Sequence, residues 1–156
     1  MTRKTSIRPP DIPSRSFMLT TERLMLISAQ RIYRAWTKEF DIWFAAPGTL
    51  MMEGEVNTPF FFETRFENQR HPHYGRFVRL RRNRLVEMTW VTGEGGTGGA
   101  ETLLTVELAP REKGTMLRLT HAGFTSEESM KRHEAAWPTV LEQMEKRLSG
   151  SQRAKR

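Results

Sequence analysis

Cysteine is absent from the 156 residues, which excludes disulfides, thiolate catalysis and cysteine-ligated zinc or iron–sulfur centres. Long apolar runs are missing too: none approaches the roughly 18 residues of a membrane span. The stretch before Phe17 lacks the apolar segment of a secretory signal, and Pro9, Pro10 and Pro13 prevent the basic helix of a transit peptide. The expectation is a cytoplasmic protein without membrane contact. No serine stands in a Gly-x-Ser-x-Gly frame. Gly93–Gly99 has no Lys-Ser/Thr ending and leads into a strand pattern, so it reads as a flexible hairpin loop and not a phosphate loop. His71 and His73 flank Pro72 in a turn-like context with no third ligand at metal spacing, so no metal and no cofactor are implied.

Acidic residues are scarce only at the ends. The net charge is +7. Arg3, Lys4, Arg8 and Arg15 against Asp11 leave +3 in residues 1–16, and Arg147, Arg153, Lys155 and Arg156 place +4 in residues 147–156. The body from 17 to 146 is therefore neutral. Basic ends attract polyanions in a salt-dependent way without specificity, so no specific nucleic-acid partner is expected. Residues 1–16 and 150–156 read as disordered basic tails around one domain at 17–149. Inside that domain, Arg76, Arg79, Arg81, Arg82 and Arg84 form the one basic cluster, facing either water or an acidic partner.

Periodicity then orders the chain. Phe17–Ile27 alternates loosely, with Phe17, Leu19, Leu24 and Leu26 on apolar positions, as in a strand. Ala29, Ile32, Tyr33 and Trp36 recur at helical spacing behind a capping Ser28. Thr37 is placed to cap a second short helix carrying Phe40, Trp43 and Phe44, stopped by Pro47-Gly48. Strands are expected at Leu50–Val56, Pro59–Glu67, Tyr74–Arg81, Leu85–Val91, Glu101–Leu108 and Thr115–His121, with Arg82-Asn83-Arg84 turning one hairpin. Glu87 faces out by parity. Thr125 with Glu128 matches a capping box ahead of a stripe of Met130, Trp137, Leu141, Met144 and Leu148. Pro138 inside that stripe either kinks one helix or opens a second. Consecutive strands with short turns and one long terminal helix argue an α+β domain.

Ordered along the chain, these motifs resemble the START/Bet v (SRPBCC) superfamily, and within it the Aha-type proteins named for the activator of the heat-shock chaperone ATPase. The resemblance covers roughly 20–149. Its carriers are Ile27-Ser28-Ala29 through Trp36-Thr37 with Trp43-Phe44, Tyr74-Gly75-Arg76-Phe77, Arg84-Leu85-Val86 to Trp90, Gly114-Thr115 through Phe124, and His133 to Trp137 with Leu141. Ala136-Trp137-Pro138 departs from the family's usual glycine before the tryptophan. The resemblance implies a helix-grip fold, a curved antiparallel sheet wrapped around the long terminal helix, with two short helices after the first strand. With sixteen residues before the first strand, the separate amino-terminal domain of the chaperone activator is not expected.

Such a fold implies a cavity between sheet and helix, and fifteen Phe, Trp and Tyr residues are available to wall it. The expected walls are Trp36, Phe40 and Trp43 from the helices, Phe60, Phe62, Tyr74, Met88 and Trp90 from strands, and Trp137, Leu141 and Met144 opposite. For any one of these residues the plainer reading is core packing, and it is the set that argues a cavity. His121 shares strand parity with Leu117 and Leu119, so its imidazole points inward. There it can orient a ligand, act as acid–base, or be held by a backbone or hydroxyl partner. The leading expectation is a non-catalytic binder of a hydrophobic or amphipathic small molecule, oriented by Tyr74 and His121. A cyclase- or hydratase-like enzyme using His121 is one alternative. A protein-interaction role, with a chaperone or a second copy of the chain as partner, is another.

Overall fold

Nine elements follow one another: β1 (Phe17–Met25), α1 (Ala29–Thr37), α2 (Phe40–Trp43), β2 (Pro59–Phe66), β3 (Gln69–Arg81), β4 (Leu85–Thr92), β5 (Thr102–Arg111), β6 (Gly114–Phe124) and α3 (Glu127–Ala154). They come from a computed structural model that describes residues 5–10, 12 and 17–154. The strands form one sheet in the order β1-β6-β5-β4-β3-β2, every neighbouring pair antiparallel. β2 to β6 make a meander, and β1 joins its far edge. Register shifts at Phe17/Met18 and Phe77/Arg79 add the local twist that bends a sheet. The curved sheet wraps around α3, the helix-grip arrangement.

Local chemistry sets the boundaries. Ser28 Oγ accepts the Arg31 amide at 3.1 Å and opens α1, whose buried face carries Ile32, Ala35 and Trp36. Thr37 does not cap α2. It ends α1, donating its hydroxyl to Tyr33 O at 2.9 Å, and α2 has no side-chain cap. Instead α2 is pinned from outside, by Trp43 Nε1–H to Ala35 O (3.0 Å) and Gln143 Nε2–H to Trp43 O (2.9 Å).

Three expected elements are redrawn. Leu50–Val56 is not a strand: it makes only the isolated bridges Met51↔Phe61 and Val56↔Phe77. Gly54 turns the chain there at φ +70°, where an added Cβ would stand 2.8 Å from Thr37 O. β3 starts at Gln69, not at Tyr74, because Glu67 and Asn68 both take positive φ (52° and 63°) and close a two-residue hairpin between Phe66 and Gln69. On β1 the buried residues are Leu19 and Met25, while Leu24 and Leu26 are exposed. The same inward parity brings Arg23 to Glu145 of α3 at 2.9 Å, and the second Glu145 oxygen accepts the Leu26 amide at 3.0 Å.

Ser126, one place beyond Thr125, caps α3 by accepting the Ser129 amide at 3.1 Å. The helix runs unbroken through Pro138 to Ala154, past the expected end at 149. Trp137, Leu141, Met144 and Leu148 are buried along it, against the sheet as their spacing requires. Among the described residues, no helix is long and apolar enough to cross a bilayer.

The amino-terminal segment is not free where it is described. Ser6 bridges Arg79, Ile7 N–H donates to Val78 O (2.8 Å) and Leu80 N–H to Thr5 O (2.9 Å). These bonds satisfy the edge of β3 beyond Arg76, its last β2 partner. The remaining tail expectations, at 1–4, 11, 13–16 and 155–156, lie outside the described residues. Glu87 is buried, not open to water: Thr105 Oγ1 donates to it at 2.7 Å and Arg79 pairs with it at 3.4 Å. Arg76 donates to Asn57 Oδ1 at 3.1 Å and Arg84 to Asn83 O at 3.0 Å, so Arg76, Arg79 and Arg84 of the basic cluster have partners within the fold.

Candidate functional site

Most of the rings expected to wall a central cavity fill that space instead. Trp36, Phe40, Trp43, Phe60, Phe62, Met88, Leu141 and Met144 are all buried in one core. Phe40 stacks on Trp43 and on Phe62, both at 4.9 Å between centroids, and Trp36 lies 4.9 Å from Trp43. The reason is geometric: α1 and α2 insert their aromatic faces between sheet and α3, and close packing consumes the gap. Tyr74 is 46% exposed and points away from this core. The parity of β3 makes His73 the inward residue, stacked on Phe62 at 4.9 Å.

Open space begins where the helical rings stop. A pocket of about 700 Å³ lies between the end of the β2–β3 hairpin, the β4–β5 loop and the middle of α3. Phe44, Trp90, Ala136, Trp137 and Val140 supply apolar wall, His71, His73, His133, Thr64 and Thr92 polar wall, and Glu94, Gly95 and Gly96 a rim. Of the expected wall residues, the structure brings Trp90 and Trp137 to this pocket, 5.7 Å apart between centroids.

The rim is organised by hydrogen bonds. Thr92 and Thr97 exchange amide-to-hydroxyl bonds of 2.8 Å in each direction, and Gly96 packs so closely that a Cβ would fall 2.0 Å from Thr92 Oγ1. Ser129 Oγ donates to Gly96 O (2.7 Å) and Arg132 Nε to Gly95 O (3.0 Å), tying the loop to α3. The loop expected to be flexible is thus fastened at several points.

His121 is fully buried and stands behind the pocket wall. Trp137 donates its indole N–H to His121 Nδ1 at 3.1 Å. Indole can only donate, so Nδ1 carries no proton and Nε2 does. Nε2–H donates to Thr102 Oγ1 at 2.8 Å, and that hydroxyl donates to Trp90 O at 2.5 Å. The chain Trp137–His121–Thr102–Trp90 therefore braces both aromatic walls from behind. Burial, with a smaller contribution from His133, holds the His121 pKa well below its ordinary value. This is the hydroxyl-held histidine weighed among the alternatives for that residue.

Three histidines that sequence reasoning did not place in the site, His71, His73 and His133, line it directly. His73 Nδ1 lies 2.9 Å from His71 O, and His133 Nδ1 lies 2.7 Å from Ser129 O. A carbonyl only accepts, so both rings carry their proton on Nδ1 and leave Nε2 as an acceptor. Burial is the main cause that lowers the His73 pKa to about 4 and also lowers that of His133, against the opposing pull of the carbonyl bonds. His71 Nε2 is buried without a hydrogen-bond partner among the described residues. The spacing His133–Trp137 could have signalled the one, and a hairpin turn at Glu67-Asn68 the others. Among the described residues no three His, Asp or Glu side chains group as metal ligands would.

No curated protein matches this sequence. Solved structures do match the fold. Protein CV1439 from Chromobacterium violaceum is 19% identical with a TM-score of 0.69, over 81% of this chain and 93% of that one. Protein MLL2253 from Mesorhizobium loti is 18% identical with a TM-score of 0.70, over 85% and 96%. CalU16 from Micromonospora echinospora is 17% identical with a TM-score of 0.64, over 88% and 79%. At such identities the likeness is one of fold. The family described as Activator of Hsp90 ATPase homolog 1-like protein matches residues 27–149, most of the chain, and the protein belongs to that family.

Proposed function

We propose that this protein binds a small, uncharged, hydrophobic or amphipathic molecule in the pocket between the sheet and α3. The observation that carries the reading is the pocket of about 700 Å³ walled by Phe44, Trp90 and Trp137. Its volume falls in the range of small-molecule sites, roughly 300–1,000 Å³, and like theirs its wall joins aromatic and apolar side chains to convergent polar groups. Affinity would come from apolar burial, at about 25 cal/mol per Å² removed from water, less the cost of association.

Binding is favoured over catalysis by the situation of His121. Both of its ring nitrogens are engaged within the protein, and it does not line the pocket. His73 and His133 on the wall, held toward the neutral form by burial, suit a neutral guest.

The test is a thermal-shift screen of lipids, polyketides and aromatic metabolites, paired with native mass spectrometry of the freshly purified protein. A ligand that prefers the folded state raises Tm, by mass action. At least one compound class is expected to do so. A flat response across all classes, with nothing co-purifying, overturns the reading.

A further inference from the structure

Beside Thr64, Gln69, Arg70, Thr92 and Glu94, the pocket is lined by two rings that present the same kind of polar atom. His73 reaches it from β3 and His133 from α3, so the two rings come from the two layers that the pocket separates. Each spends its single N–H on a backbone carbonyl of its own element, His71 O at 2.9 Å and Ser129 O at 2.7 Å. Each therefore turns an unprotonated Nε2 away from its own backbone. The rings are also fixed in orientation. His73 stacks on Phe62 at 4.9 Å and meets Trp90 edge-on at 5.4 Å, while His133 is wedged between Phe124 at 4.8 Å and His121 at 5.1 Å. Of the two wall indoles, Trp137 commits its Nε1–H to His121 and does not offer it to a guest.

A guest's donor placed at either Nε2 makes a hydrogen bond, whereas a guest's acceptor placed there would meet a repelling lone pair. We infer that His73 and His133 are the specificity-determining residues of the pocket, selecting flat aromatic guests that carry hydroxyl or N–H donors over isosteres that carry acceptors alone. This rests on the binding function proposed above and adds to it the chemical class of the guest.

The experiment compares 2-naphthol with 2-methoxynaphthalene, equal in ring system but with and without a donor, by calorimetric or fluorescence titration near pH 7.5. On the wild-type protein, 2-naphthol is expected to bind about fivefold more tightly per hydrogen bond made. In His73→Phe and His133→Phe, which keep a ring in place, the preference is expected to shrink toward parity while the ether's affinity holds. Near-ultraviolet circular dichroism checks that each variant retains the packed core, and the wild-type comparison stands without either of them. Equal affinity for the two probes on wild type overturns the donor selection but leaves the binding function intact. A preference that survives in both variants overturns the assignment to these two residues. Failure of both probes to bind wild type counts against the pocket itself.

Discussion

The indole N–H of Trp137 and Nδ1 of His121 are joined by a hydrogen bond of 3.1 Å, and this bond fixes a buried imidazole in one tautomer. Through Thr102 the same ring reaches the backbone of Trp90. Two pocket walls on different elements are held by one residue that never meets the pocket.

Replacing His121 with Phe strands the indole N–H and leaves Thr102 Oγ1 with no donor to accept from. Each orphaned buried group costs about 1–3 kcal/mol, so the variant is expected to lose about 2–4 kcal/mol in urea denaturation. It is also expected to lose probe affinity, because Trp137 is no longer held. A stability unchanged within about 0.5 kcal/mol would show that the ring is mere filling.

Stability is expected to fall on acidification through the range where histidine titrates. The His73 pKa is lowered from 6.5 to about 4, so between those values the unfolded chain holds a proton that the folded chain refuses. The contribution is complete above about pH 6.5 and is lost as pH drops toward 4, about 3 kcal/mol from His73 by linkage. His121 and His133 are shifted in the same direction and steepen the loss. Urea midpoints measured at about pH 7.5 and about pH 5 should differ, the acid one being lower. A midpoint independent of pH would contradict the burial of these rings.

Ala136 is exposed on α3 at the pocket wall, so Ala136→Trp puts bulk into the open space without disturbing the core. Stability is expected to stay within about 0.5 kcal/mol of wild type, while titration with any compound found in the thermal-shift screen gives at least a tenfold loss of affinity. Unaltered binding would place the guest elsewhere.

Much of the fold is written in local chemistry. Ser28 caps the helix it was expected to cap, the Arg82-Asn83-Arg84 turn joins β3 to β4, and the stripe from Trp137 to Leu148 is buried along its length. The site is less legible, for two physical reasons. Hydrophobic period tells which side chains leave water, not whether the apolar faces then mesh or stand apart. Trp36, Phe40 and Trp43 therefore read as either wall or filling, and are filling. Strand parity, moreover, is only as good as the turn that anchors it. The sequence alone does not show the hairpin at Glu67-Asn68, and it offers Tyr74 as wall where its neighbour His73 is the inward residue. His121 shows the converse, since Leu117 and Leu119 gave its direction correctly and only its partners were open.

The fastening of residues 95 and 96 to Ser129 and Arg132 makes one jaw of the pocket's mouth a stiff one. Parting the glycine loop from α3 breaks several hydrogen bonds together, each worth about 1 kcal/mol. The facing jaw is a two-residue β-turn whose Phe66 is 66% exposed. A guest that enters on the hairpin side leaves the bonds of the glycine loop intact.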